Sequence, residues 1–300
     1  MNGPYQKRSA IVRVMSPGPK NPSPSFQVFL GIDQTGAWDP RKRRPKPLPL
    51  VMIAKDPKDP SRFRLSTHAL SALTPDALRS IGVDPLITPT LILVDCVFWP
   101  APSESISNPP IMDTGLMWQE FCRARIHASR MEKLGSASAE DFFKTHHRPS
   151  GTLREVDRQV RAHSLYSPRP FQRNIQCGTY RVWVDLGTET EPWARMWPWP
   201  SKKTVPTWIA EGYPSWIKRS LKQNWNTNRV RWETWARTRI ANSRDFEDAA
   251  RLAFQAFETI HASDGLASSY LEPPSGFPAQ EGWIFGVPSI RSSAAATPEK

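Results

Sequence analysis

Cysteine is scarce in this 300-residue chain. Cys96, Cys122 and Cys177 are odd in number and form neither a CxxC pair nor a zinc-ligand spacing, which excludes a disulfide-stapled scaffold and points to a reducing compartment. Glycine is scarce too, with 15 residues and no Gly-Gly dipeptide. No apolar run approaches the roughly 18 residues that a membrane helix needs. The one apolar patch near the start, Ile11 to Met15, is broken by Arg13 and so lacks a signal-peptide core. The six histidines, including the His146 and His147 pair, show no HExxH or other ligand spacing. These absences leave a soluble chain with no membrane partner, cytoplasmic by default.

Proline and basic residues are what the chain has in excess. Its 31 prolines predict long, proline-punctuated connections. Residues 1–25 hold Pro4, Pro17, Pro19, Pro22 and Pro24 among several bases and read as a flexible arm, because such a composition buries too little surface to offset ordering entropy. The Ser/Ala-rich residues 291–300 read as a loose tail. The span 26–290 reads as a single domain, with insertions over about 100–206.

Periodicity and turn signals supply the elements. Phe26 to Asp33, Leu48 to Lys55 and Arg62 to His68 read as three strands. Thr74 then caps a short helix with Pro75 at its first position, running to about Ile81. Thr90 to Trp99 (TLILVDCVFW) is the strongest strand. Leu116 to Leu134 and Arg154 to His163 read as helices, and Thr207 to Glu211 (TWIAE) as a strand that leads into a helix through about Leu221. Ser243 to His261 carries an apolar stripe at Phe246, Ala250, Ala253, Phe257 and Ile260, the helical rule. Glu281 to Val287 reads as a closing edge strand. This order predicts an α/β mixed sheet, three antiparallel strands followed by a helix and parallel strands, with helical and proline/tryptophan-rich insertions.

Acids stand at special places in that order. Asp33 ends the first strand, Asp95 lies inside the fourth, and Glu211 ends TWIAE. Asp245 and Asp248 lie i, i+3 on the last helix. A carboxylate inside LILVDCVF is costly to bury unless it is paired or bound to a metal. Carboxylates converging at strand ends are what two Mg²⁺ ions require in a phosphodiester displacement. Plainer roles compete: a turn cap for Asp33, an ion pair with Lys218 or Arg219 for Glu211, and a capping box for Asp245.

The net charge of +12 is unevenly distributed: +8 over residues 1–55, −1 over 56–153, +9 over 154–239 and −4 over 240–300. Two basic segments around an acidic centre suit a polyanion. Arg41, Lys42, Arg43 and Arg44 in RKRRPKP form a loop after Asp33, either simply solvated or placed to clamp a phosphate backbone. Nine of the 13 tryptophans lie between Trp183 and Trp235, interleaved with cations that include Lys202, Lys203, Lys218 and Arg219. That alternation suits stacking on unpaired bases; a core or surface anchor is the stronger reading for any single tryptophan, with one or two, Trp197 and Trp199, expected to be exposed. Arg154, Asp157 and Arg158 share a helical face, as an internal salt-bridge set or, for the arginines, as phosphate contacts.

The segments LGIDQTGAW (30 to 38), LILVDCVFWPA (91 to 101), LREVDRQVR (153 to 161), WIAEGYPS (208 to 215), SRDFEDAARLAFQAF (243 to 257) and EGWIFGVP (281 to 288) together span most of residues 26–288. In that order they resemble the RNase H-like fold, and more narrowly a bacterial family of predicted RNase H-like nucleases of the resolvase type. The resemblance implies a nuclease that uses two Mg²⁺ or Mn²⁺ ions. Asp33 would bridge both ions, Asp95 would be the fourth-strand ligand, and Glu211 and Asp248 would complete the catalytic set, with Asp245 able to stand in for Asp248. It also implies a nucleic-acid partner, DNA or RNA, and a homodimer, since resolvase-type nucleases are often dimers.

Two other classes compete. A non-catalytic nucleic-acid-binding protein would keep the basic segments without using the acids. An actin- or sugar-kinase-type ATPase would need Asp-x-Gly-Thr after its first strand, where this chain has Asp33-Gln34-Thr35-Gly36, and a Gly-Gly adenosine loop that it lacks.

Overall fold

The computed structural model describes residues 10–13, 26–34, 38–39, 44–99, 112–131, 134–147, 153–162, 172–220, 244–261 and 282–287. In chain order the strands are β1 (Ala10–Arg13), β2 (Val28–Ile32), β3 (Trp38–Asp39), β4 (Arg44–Pro45), β5 (Leu48–Asp56), β6 (Asp59–Leu70), β7 (Thr90–Val94), β8 (Arg195–Met196) and β9 (Thr207–Glu211). The helices are α1 (Pro75–Arg79), α2 (Thr114–Arg130), α3 (Ser136–His146), α4 (Glu155–Gln159), α5 (Gln172–Leu186), α6 (Pro214–Ser220) and α7 (Arg244–His261).

Seven strands form one α/β mixed sheet in the order β1-β6-β5-β2-β7-β9-β8, and β3 and β4 pair separately. β5 runs antiparallel to both β2 and β6, whereas β2, β7, β9 and β8 are mutually parallel. The two strands at the centre, β2 and β7, are buried at every residue, as continuous apolar runs such as TLILV require.

Alternation sends their side chains into two cores. Leu30, Ile32, Ile92 and Val94 pack with residues of α1, α2, α3 and α5 on one face. Phe29, Leu91 and Leu93 pack with α7 and the Trp283 to Val287 segment on the other. Gly31 occupies the position of β2 where α7 comes closest. A Cβ there would run into the backbone of Ala249 and Ala253. Gly31→Ala is therefore expected to lower unfolding free energy by about 1–3 kcal/mol through overpacking, read from urea unfolding midpoints. An unchanged midpoint would show that the helix does not approach so closely.

The structure revises several boundaries. β7 ends at Val94, so Asp95 lies just past the strand and not inside it. The chain turns there, with the Cys96 N–H donating to the Val94 carbonyl at 2.9 Å. The basic arm contributes β1, which pairs with the outer edge of β6 despite Arg13, because an edge strand leaves one side open. Its other residues, and the tail 291–300, lie outside the described residues. The expected closing strand at 281–287 is reduced to an isolated bridge between Ile284 and Glu211. Helices α3 and α5 were not expected. Among the described residues, no helix is long and apolar enough to cross a membrane.

Candidate active site

Backbone register sets Asp33 and Asp95 side by side. Asp33 follows β2 directly, and its N–H donates to the Pro49 carbonyl at 3.2 Å. Asp95 follows β7, and its N–H donates to the Ile32 carbonyl at 3.0 Å, which continues the parallel pairing of β2 with β7. Both carboxylates thus emerge from adjoining carboxyl ends of central parallel strands, where open α/β sheets place their ligands. The close passage of α7 over Gly31 brings its N-terminal turns, with Asp245 and Asp248, toward the same place.

The electrostatics follow from this crowding. Burial raises the Asp33 carboxyl well above the ordinary carboxylate range, and the charges of Asp95, Asp248 and Asp245 raise it further. Burial also raises Asp95, joined by the charges of Asp248 and Glu211, while its hydrogen bond with Asp33 opposes the rise. Two adjacent buried carboxylates cannot both ionise cheaply, so the first proton is held by the pair and both carboxyls are raised. Asp248 is half-buried and forms an ion pair with Arg251, which also reaches Glu247 at 3.2 Å.

Glu211 arrives at the end of β9, paired in register with Val94, and its charge acts on Asp95. Its own partner is a buried arginine. Arg154 donates through Nη1 to Glu211 Oε2 at 2.8 Å and through Nη2 to Oε1. The same guanidinium donates through Nε and Nη2 to the two oxygens of Asp157, at 2.9 and 2.8 Å. The Phe98 N–H also donates to Glu211 Oε2, at 3.4 Å. Burial raises the Glu211 carboxyl although Arg154 pulls it down. Glu211 is thus held in a buried Asp157–Arg154–Glu211 ion triad.

That triad corrects the assignment of Arg154 to a phosphate contact. The residue is 2 % exposed and its donors face protein carboxylates and the Trp99 carbonyl. Arg158 is exposed, but it bonds Glu155 at 3.0 Å and the Leu153 carbonyl at 2.8 Å rather than joining the triad. Trp197 and Trp199, expected to be exposed, are 1 % and 0 % exposed and fill the two opposite cores. Their flat bulk is what closes an insertion against a sheet. Lys202 is exposed, and Lys203, also exposed, pairs with Glu191. Arg41, Lys42 and Arg43 lie outside the described residues, as do the side chains of Arg44, Lys218 and Arg219.

Among the described residues, no three His, Cys, Asp or Glu side chains stand in position to hold a metal ion together. Chemically, the site is a hydrogen-bonded Asp33–Asp95 pair inside a negative field to which Asp248, Asp245 and Glu211 contribute, with Glu211 also ion-paired to the buried Arg154. No family model, curated protein or solved structure gives a significant match to this chain.

Proposed function

We propose that the protein is a metal-dependent nuclease on an RNase H-like fold, hydrolysing phosphodiester bonds at Asp33 and Asp95. The observation that carries this reading is the Asp33–Asp95 pair, set at adjoining ends of two parallel strands, where burial and the crowding of acids raise both carboxyls and a cation would screen their charges. The sheet supports it: three antiparallel strands, a helix and then parallel strands is the layout that the sequence resemblance implies.

The donor set fits Mg²⁺ or Mn²⁺. These hard cations prefer carboxylate oxygens and are held by one or two carboxylates, with waters and substrate phosphate completing the shell, so a third protein ligand is not required. Asp33 and Asp95 would hold the metal, and Asp248 and Asp245 would add negative charge beside them. Bound there, the metal would activate water and stabilise the charge that develops on the leaving oxygen. The proton held by the pair must leave before the carboxylates can ligate, so occupancy rises with pH. Glu211, with its oxygens engaged by Arg154, braces the end of β9 against α4. The basic segments, +8 and +9, would bind the nucleic-acid backbone.

A second reading keeps nucleic acid and removes cleavage. The commitment of Glu211 to Arg154 favours it, because fewer carboxylates are left for metal. The test is a panel of single-stranded, duplex and branched DNA and RNA incubated with Mg²⁺ or Mn²⁺ beside a chelator control. Metal-dependent cleavage of at least one substrate is expected, together with binding that weakens steeply as salt rises. Salt-sensitive binding without cleavage in either metal would transfer the assignment to the binding protein. Affinity that stays level from low to high salt would remove nucleic acid as the partner.

A further inference from the structure

We infer that helix α5 sets the spacing of the proposed carboxylate site, with Thr179 and Gly178 as its positioning residues. This rests on the nuclease reading and concerns a helix that lies outside the acids themselves.

Two consecutive residues of α5 meet the two loops that follow the carboxylates. Gln34, next to Asp33, is buried, and its side-chain amide lies where a Cβ on residue 178 would be. With glycine at 178 the Gln34 amide can lie against the helix, and a side chain there would push it aside. Val97, two residues beyond Asp95, is gripped by both of its backbone polar groups. Its N–H donates to Thr179 Oγ1 at 3.3 Å, and its carbonyl accepts from the Trp183 indole N–H at 3.1 Å. Thr179 and Trp183 are one helical turn apart and therefore share a face. Adjoining faces of one helix thus touch the chain just after each carboxylate.

The helix is itself firmly anchored. Asp185 accepts from the Leu73 N–H at 2.9 Å, and Arg181 donates to the carbonyls of Lys46 and of Ser71, the latter at 2.9 Å. Those groups lie just before β5 and just after β6, so α5 is tied to the connections flanking two further strands. Thr179 is fully buried, and Trp183 is buried and stacked on Trp99 at 6.2 Å. A helix fixed at both kinds of contact acts as a spacer between the Asp33 and Asp95 loops. Carboxylates that are to share one small cation need such a spacer, since ligand orientation depends on the groups behind the ligands.

The test compares Thr179→Val, which keeps the shape but removes the acceptor, with Thr179→Ser, which keeps the acceptor. Mn²⁺ binding to the full chain is measured by electron paramagnetic resonance, and folding is checked by circular dichroism and thermal unfolding. Thr179→Val is expected to weaken Mn²⁺ binding by about 10-fold or more, the usual effect of removing a group behind a metal ligand, with Thr179→Ser close to wild type. A merely structural Thr179 would lower the melting temperature and leave the Mn²⁺ affinity of the folded protein where it was. That result, or a serine variant as weak as the valine one, overturns the positioning role alone. Wild-type protein that binds no Mn²⁺ overturns the nuclease reading and this inference with it.

Discussion

Replacing Asp33 by Asn is expected to abolish cleavage by several orders of magnitude while making the folded protein more stable at neutral pH. The two effects have one cause. The native Asp33 carboxyl has its pKa raised by burial first and then by Asp95, Asp248 and Asp245. A carboxyl whose folded value lies above its unfolded value of about 4 binds its proton more tightly when folded. Its stabilising contribution is therefore complete below about pH 4 and is lost as pH rises through the raised native value, on the order of 1 kcal/mol per pH unit. Asparagine keeps the hydrogen bond to Asp95 and has no proton to lose. The variant should accordingly gain on wild type as pH rises, and Mn²⁺ should raise the melting temperature of wild type far more than that of the variant. Nucleic-acid binding, carried by the basic segments, should stay level or rise slightly. Cleavage within tenfold of wild type, or parallel stability-against-pH curves for the two proteins, would remove Asp33 from the centre of the site.

What the sequence disclosed depends on whether each signal was local. Asp33 stood out because it ends an apolar run and Asp95 because it interrupts one, and runs of that kind are local signals. TWIAE was legible over the same residues that form β9. Helix α5 was not, because its buried stretch holds Thr179, Tyr180, Val182, Trp183 and Val184, residues that favour strands and are apolar around most of the helix. Tertiary packing of α5 against α2 and α3 overrides that preference. Trp197 and Trp199, the two tryptophans expected at the surface, misled for a related reason. Aromatics interleaved with cations look like a stacking surface, yet this helical insertion needs bulky residues to fill its own core, and Trp118, Trp183, Trp193 and Trp199 do so. The pairing of Arg154 with Asp157 was readable from the i, i+3 spacing. The pairing of Arg154 with Glu211 spans 57 positions and carries no spacing signal.

That long-range pair carries the largest stability prediction. Arg154→Ala is expected to cost about 3–5 kcal/mol, because the substitution leaves Glu211 and Asp157 buried with their charges uncompensated. Burial lowers the proton affinity of the guanidinium, but the charges of Asp157 and Glu211 outweigh it and keep Arg154 charged. Removing the cation should raise the Glu211 carboxyl further, since Arg154 is the main influence pulling it down. The effect then travels to the site. While Glu211 keeps its charge, that charge acts on Asp95 through a field Arg154 no longer balances, so Asp95 should hold its proton more tightly. Glu211→Gln should cost less than Arg154→Ala, because the guanidinium retains Asp157 as a partner and an amide oxygen as an acceptor. Replacing all three members by apolar residues of similar volume should recover much of the loss, as is common for buried ion triads. Urea unfolding of the three variants decides the matter. A loss below about 1 kcal/mol for Arg154→Ala would mean that water reaches the triad and that Glu211 is not sequestered, which would return it to the candidate metal ligands beside Asp95.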